Sequence, residues 1–128
     1  MALTADDARV IADQFLEAAQ AIDAYLDANR AALSKDEKKS LRDAQKELLR
    51  SSAAMTTAAV GLSIDQMDDA AAELGQVITE AKDSLADLES IRKAIRVAAG
   101  LVDLATAIVA KDPGGAVKAA LGLREELA

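Results

Sequence analysis

The sequence predicts an all-α protein, an antiparallel up-and-down bundle of four main helices with a short fifth helix at the C-terminus. Ala and Leu, the strongest helix formers, supply 31 and 16 of the 128 residues, whereas Phe and Tyr occur once each and Trp is absent. One Pro and six Gly are too few for the many turns of a β domain. Apolar residues recur at spacings of three and four, which is typical of long helices packed at shallow angles.

The length of 128 residues indicates a single domain. We expect three long helices within residues 1–90, and an apolar helix plus a short C-terminal helix within residues 91–128. Because the predicted loops are short, consecutive helices should be antiparallel neighbours.

The first helix is predicted over residues 5–31. Thr4 can cap its N-terminus, and Asp6 and Asp7 complement the positive end of the helix dipole. The residues expected to face the core are Ala8, Ile11, Phe15, Ala18, Ile22 and Tyr25, with Leu16, Ala19, Leu26 and Leu33 widening the stripe.

The second helix is predicted over residues 35–60. Ser34 and Glu37 have the spacing of a capping box, in which each residue satisfies the backbone N–H of the other. Gly61 is a suitable residue for the C-terminal end. The expected inward stripe is Leu41, Ala44, Leu48, Ser51, Met55, Ala58 and Leu62.

The third helix is predicted to start near residue 64, where Ser63 and Gln66 form a second capping box. Its expected inward stripe is Met67, Ala71, Leu74, Ile78, Ala81, Leu85 and Leu88.

The course of the chain after this stripe is open between two arrangements. Residues 76–99 contain no Gly or Pro, so one helix over residues 64–110, about 70 Å long, is the first. The second has a break near Asp87–Ser90 that folds residues 91–110 back as a fourth helix. We favour the break because a compact core buries more apolar area. The stripe after it would be Ile91, Ile95, Ala98, Val102, Ala105 and Val109.

A short fifth helix is predicted over residues 114–127. The Pro and two Gly of the segment Lys111–Gly115 end the preceding helix. Val117, Leu121 and Leu127 would let the fifth helix close one end of the bundle, although its own Gly122 weakens it.

The charge of the chain argues against nucleic acid as a partner. Fifteen basic and 22 acidic residues give a net charge of −7, whereas nucleic-acid binders present cationic surfaces to the phosphates. The net charge is −5 over residues 1–29, +3 over 30–64, −7 over 65–90 and +2 over 91–128. These alternating signs favour one helix arrangement over others, although each exposed pair contributes little.

The composition also removes much chemistry, because the chain has no Cys and no His. Thiolate nucleophiles, imidazole bases and the metal sites built from them are excluded. Carboxylates remain, and a third, weaker hypothesis is a Mg²⁺-dependent hydrolase that uses Asp65, Asp68 and Asp69 with Glu80 and Asp83. The two groups lie about 18 Å apart along one predicted helix and cannot share an ion. Acidic residues in a first helical turn are explained by the dipole alone.

Hydroxyl side chains offer a second, weak candidate for chemistry. Ser51, Ser52, Thr56 and Thr57 form an uncharged polar strip on the second helix, but no His is present to activate them. Small hydroxyl residues more often allow close helix approach or bond to a backbone carbonyl. Tyr25 is expected to be a core aromatic with its hydroxyl at the edge.

The segment from Ala94 to Ala110 is the feature that a plain bundle explains poorly. Its apolar residues extend almost around the helix, which indicates central burial or contact with another surface. The predicted contact residues are Ile95, Ala98, Leu101, Val102, Ala105, Val109, Leu121 and Leu127. A basic flank of Arg92, Lys93 and Arg96 would pair with acidic helices, or would meet anionic lipid or an acidic partner.

The apolar tail of about 35 residues resembles the apolar helical hairpin of α-helical pore-forming toxins. That resemblance implies a membrane-active protein in which residues 91–128 open away from the rest. The longest apolar stretch, residues 97–110, is too short to span a bilayer as one helix.

The function that the sequence favours is a non-enzymatic interaction or oligomerisation protein, which binds a protein partner or a second copy through the apolar C-terminal face. The membrane-active protein is the alternative. We expect no catalytic residue, no cofactor, no metal ligand and no nucleic-acid partner. The acidic N-terminus has no apolar signal segment, so we expect a cytoplasmic location.

Overall fold

The structure, a computed structural model, describes residues 5–57, 70–87, 91–110 and 112–127, and all its regular elements there are helices. The prediction of an all-α protein is confirmed. The helices are α1 (Ala5–Ala28), α2 (Lys35–Thr57), α3 (Ala70–Asp87), α4 (Ile91–Val109) and α5 (Pro113–Leu127). The predicted capping box at Ser63 and the predicted helix end at Gly61 lie outside the described residues.

The order of packing differs from the order of the helices along the chain. Helix α1 packs against α2 and α3, α4 packs against α2 and α5, and α3 also touches α5 and α4. Within the described ranges, α2 and α3 do not contact each other, although consecutive helices were expected to be neighbours. Apolar periodicity identifies the buried face of a helix but not the helix that covers it, which is why the sequence missed this order.

The main inward stripe predicted for α1 is confirmed at every position whose side chain the structure describes, from Ile11 to Tyr25. Ile11, Phe15, Ala18 and Ile22 are at most 1% exposed. Leu16 was expected to widen the stripe, but it is 38% exposed and lies on the solvent side. The described members of the α2 and α3 stripes are also buried: Leu41, Ala44, Leu48, Ser51, Leu74, Ile78, Ala81 and Leu85.

The capping box that starts α2 forms as predicted. The backbone N–H of Ser34 donates to Glu37 Oε1 at 2.7 Å, and the N–H of Glu37 donates to Ser34 Oγ at 3.1 Å. Two of the otherwise unpaired N–H groups at this helix end are therefore satisfied.

Polar side chains link α1 to both of its neighbours. Ser52 Oγ donates to the carbonyl oxygen of Ala12 at 2.9 Å in the buried α1–α2 contact, so this hydroxyl serves close packing. On the other side, Lys82 Nζ lies 2.9 Å from Glu17 Oε2. This hydrogen bond raises the pKa of Lys82 above its ordinary value.

The apolar tail is covered by the chain itself. Helix α3 is described to Asp87 and α4 from Ile91, and the predicted break lies largely outside the described residues. Because α2 and α5 both pack against α4, that helix does not project into solvent as one continuous helix over residues 64–110 would.

Tyr25 corrects one sequence prediction. The ring belongs to the core as expected, but the side chain is only 4% exposed and its hydroxyl is buried, not at the edge. Among the described residues the hydroxyl has no hydrogen-bond partner. Burial, with a smaller effect of the nearby Glu37 carboxylate, raises the pKa of Tyr25 above 10.0.

We therefore predict that Tyr25→Phe raises the free energy of unfolding by about 1 kcal/mol, because it removes a buried hydroxyl that gains no hydrogen bond. Burial favours the protonated phenol in the folded state. The free energy of unfolding of the parent therefore does not depend on this group below pH 10.0, and it falls as pH rises from 10.0 towards the raised pKa. Urea unfolding at pH 7 and at pH 11 measures both effects.

The variant should lose less stability than the parent between these two pH values. Lys82→Met is the control, because Lys82 is the other described group with a raised pKa. The stability that this raised pKa contributes to the parent also begins to be lost between pH 7 and pH 11. A Tyr25→Phe variant that is destabilised at pH 7 would show that the hydroxyl makes a favourable bond.

Candidate functional site

The predicted contact residues divide into buried and accessible groups. Ala98, Leu101 and Ala105 are at most 1% exposed, so they form part of the chain's own core. Ile95, Val102 and Leu127 are half-buried and pack against that core. Only Val109 and Leu121 are exposed, by 37% and 51%. Three of the eight predicted contact residues therefore belong to the chain's own core, and two are open to solvent.

The reason is visible in the orientation of α4. Its buried face is centred on Val97, Leu101, Leu104 and Ile108, because α2 and α5 cover it from two sides. The basic flank is more accessible: Arg92 and Arg96 are exposed and Lys93 is half-buried.

A groove of about 700 Å³ lies between α4 and α5. Half of its lining residues are small: Ala99, Gly100, Ala107, Ala110, Gly115, Ala119 and Gly122. Arg96, Asp103, Lys118 and Glu126 stand along it. We refer to these residues as the α4–α5 groove.

Close approach of the two helices makes this groove. A Cβ at Gly100 would lie 2.7 Å from Leu123 Cδ2, so Leu123 packs directly on the glycine. A Cβ at Gly115 would lie 3.5 Å from the Cβ of Ala107. These two contacts align the helices, with Gly100 opposite Leu123 and Ala107 opposite Gly115.

Asp112 fixes the corner between α4 and α5. Its backbone N–H donates to the carbonyl of Ala107 at 2.9 Å, and its carboxylate accepts the N–H of Gly115 at 3.0 Å. Its carbonyl accepts the N–H of Ala116 at 2.9 Å. A side chain at Gly115 would collide with the Asp112 carboxylate. The segment therefore starts α5, with Asp112 as the N-cap and Pro113 as the first helical residue.

From the sequence, the segment Lys111–Gly115 was interpreted only as the end of the preceding helix. The signal that identifies it as a start is the order Asp-Pro, since Asp is a favoured N-cap and Pro is favoured at the next position. That pattern would have moved the predicted start from residue 114 to Pro113.

Gly122 has a different environment from the other groove glycines. It lies inside α5, it is exposed, and a Cβ there would meet no atom of the described chain within 4 Å. Gly inside a helix costs about 1 kcal/mol relative to Ala. The internal packing of the described chain therefore gives no reason for a glycine at this position.

The charges of the groove alternate along and across it. Arg96 on α4 and Glu126 on α5 lie near one end, and Asp103 and Lys118 stand near the middle. None of the four takes part in an ion pair that the structure describes. These four charges are therefore available to an outside partner.

The acidic residues considered as metal ligands are either outside the described residues or in contact with other side chains. Asp65, Asp68 and Asp69 lie outside the described residues. Glu80 accepts a hydrogen bond from Gln76 at 3.2 Å, and Asp83 lies 3.9 Å from Lys82 Nζ. Within the described ranges, no group of three or more acidic residues is arranged to hold a metal ion.

A smaller concavity of about 200 Å³ lies between α1 and α2 and mixes both signs of charge. Asp27 and Arg30 within it already pair at 2.6 Å. It offers less space and less free charge than the α4–α5 groove.

Among the helices that the structure describes, none has the length and apolar character needed to cross a membrane. Searches of protein families, of curated proteins and of solved structures find nothing that matches this chain. The α4–α5 groove is the described surface most suited to binding a partner.

We predict that Gly122→Ala raises the free energy of unfolding by about 1 kcal/mol, because the helix gains propensity and the methyl group meets nothing in the chain. Gly100→Ala should lose most or all of this gain, since its methyl group displaces the buried Leu123. Chemical denaturation of the two variants beside the parent measures the difference. Equal stabilisation by both substitutions would contradict the close contact at Gly100.

Proposed function

We propose that this protein is a non-enzymatic interaction module whose contact surface is the α4–α5 groove, and that its partner presents a helical face. One observation carries the proposal: an accessible surface of small residues contains a glycine that the described chain's own packing does not require. A partner backbone that approaches closely would require it, because small residues let helices come into near contact. A cytoplasmic location belongs to the same proposal.

The dimensions of the groove suit a helix. Helices α4 and α5 contain 19 and 15 residues, so their shared face is about 22 Å long at 1.5 Å per residue. A helix with side chains is about 10–12 Å wide. Three or four turns of a partner helix can therefore lie along the groove.

The composition of the groove fits a protein partner better than a reactant. Four of its five charged residues are exposed, and half of its lining residues are Ala or Gly. Thr106 is the one hydroxyl side chain among the residues that line it. A catalytic site usually has buried, desolvated groups with shifted pKa values. These features support a binding surface.

Burial in the tail supports the interaction module over the membrane-active alternative. Leu101, Leu104 and Ile108 are fully buried against the rest of the chain. Opening α4 and α5 away from α2 and α3 would expose all three, at about 2 kcal/mol for each large aliphatic side chain.

We also propose that the helices run up and down, as the sequence suggested. Ser52, late in α2, bonds to Ala12, early in α1, which fits antiparallel helices. Glu17 and Lys82 pair α1 with α3, and the contact of Gly100 with Leu123 fits antiparallel α4 and α5. On this course the α4–α5 groove lies on one outer side of the bundle.

The experiment uses the absence of native cysteine to place one thiol in the groove. Ala99→Cys puts the thiol on the groove surface, and Ala24→Cys puts one on the exposed side of α1. We expect the alkylation rate of Cys at position 99 to fall at least fivefold when the groove is occupied, because a docked helix excludes the reagent. The rate at position 24 should not change.

Alkylation is measured at rising protein concentration, to detect self-association, and in an extract of the source cells, to detect another partner. Protection of position 99 alone in either series supports a docking groove. Equal and unchanged rates at the two positions in both series would refute the proposed function.

A further inference from the structure

We propose that the occupant of the α4–α5 groove is a second copy of this chain, placed by a twofold axis that runs parallel to α4 and α5. This inference depends on the proposed function and adds the identity of the partner. In this dimer Arg96 of each copy faces Glu126 of the other, and Asp103 of each faces Lys118 of the other. Four pairs of opposite charges then border one interface.

The alignment of α4 with α5 places these charges at matching heights. Arg96 lies four residues before Gly100, and Glu126 lies three residues after Leu123, which Gly100 contacts. At 1.5 Å per residue the two side chains start within about 2 Å of one height along the helices.

The second pair is matched from the other contact. Asp103 lies four residues before Ala107, and Lys118 lies three residues after Gly115. These two residues are therefore also level to within about 3 Å.

A twofold axis parallel to the helices brings these level charges of two copies together. Such an axis places α4 of one copy over α5 of the other without changing its height. Each charge therefore faces a charge of opposite sign at its own height, because α4 and α5 carry opposite charges at matching heights. The interface is isologous, so every contact occurs twice.

Small residues meet at the same heights. Gly122 is next to Leu123 and is therefore level with the step from Gly100 to Leu101. The axis therefore sets Gly122 of one copy opposite the Gly100–Leu101 step of the other, beside the exposed Ala99. This contact provides the close approach that would require a glycine at position 122.

The alternative twofold axis, perpendicular to the helices at the centre of the groove, gives a poorer match. It would place α4 over α4, with Asp103 opposite Asp103 of the second copy. Like charges that face each other at an interface are unfavourable and select against that arrangement.

The area sets the strength to expect. A face about 22 Å long and about 20 Å wide, the width of two adjacent helices, has an area of roughly 450 Å². Stable interfaces bury about 800 Å² on each partner. The dimer should therefore be reversible and should dissociate within the range of about 1 µM to about 1 mM.

The test is a charge exchange at the central pair, read by sedimentation equilibrium and by native mass spectrometry of mixtures. Asp103→Lys and Lys118→Asp should each weaken the homodimer at least tenfold, because each puts like charges face to face twice. An equimolar mixture of the two variants should form a heterodimer about as strong as the parent dimer. The double variant should recover the parent affinity for itself.

Matched controls carry the same charge changes elsewhere. Asp13→Lys on α1 and Lys39→Asp on α2 alter the net charge equally and lie on exposed positions outside the groove. They should change the dissociation constant less than threefold. Circular dichroism of every variant confirms that the helices are intact.

A parent chain that stays monomeric up to about 1 mM would overturn the second copy as occupant. The proposed function would then still stand if position 99 is protected in cell extract, which separates the two failures. This geometry would be overturned if both charge reversals left the dissociation constant of the homodimer unchanged. It would also be overturned if the mixture of the two variants formed no heterodimer.

Discussion

A shortage of large core side chains determines how closely the helices of this protein pack. Eleven of the 28 buried hydrophobic residues described are Ala, and Phe15 and Tyr25 are the only aromatic residues among them. Ala fills little space, so the helices must approach closely to leave no voids. The close contacts follow from this: Ser52 against the Ala12 carbonyl, Gly75 beside Gln14, and Gly100 under Leu123.

Close packing also brings together helices of like charge. Residues 1–29 and 65–90 are the two acidic parts of the chain, and α1 nevertheless packs against α3. Lys82 is the single basic residue of residues 65–90, and it lies against Glu17 in this contact. One well-placed ammonium group therefore reduces repulsion where two acidic helices meet. The broad alternation of charge along the sequence had suggested a different set of neighbours.

Much of the fold could be predicted because it depends on local rules. The stripe around Phe15 and the capping box of Ser34 and Glu37 involve residues three or four apart, and such spacings define contacts on one helix. The end of α4 and both bounds of α5 were predicted to within one residue, because the Pro and Gly residues of the segment Lys111–Gly115 mark the connection between these helices.

The candidate site could not be predicted in the same way, because it depends on which helix covers which. Leu101 and Ala105 are apolar and could face either a partner or the chain's own α5, and only the three-dimensional packing decides between these. The groove residues are small or charged, so apolar periodicity does not identify them. Asp112 was missed because its role as a cap is visible only in relation to the helix that follows.

The corner at Asp112 also has a consequence for the order of folding. Helices α4 and α5 meet after a connection of three residues, and the single residue Asp112 bonds to both helices through its backbone. Contacts between residues close in sequence lose little chain entropy when they form, whereas the pairing of Glu17 with Lys82 closes a loop of 65 residues. We therefore expect the α4–α5 hairpin to form early, so that its outer groove exists before the rest of the bundle closes behind it.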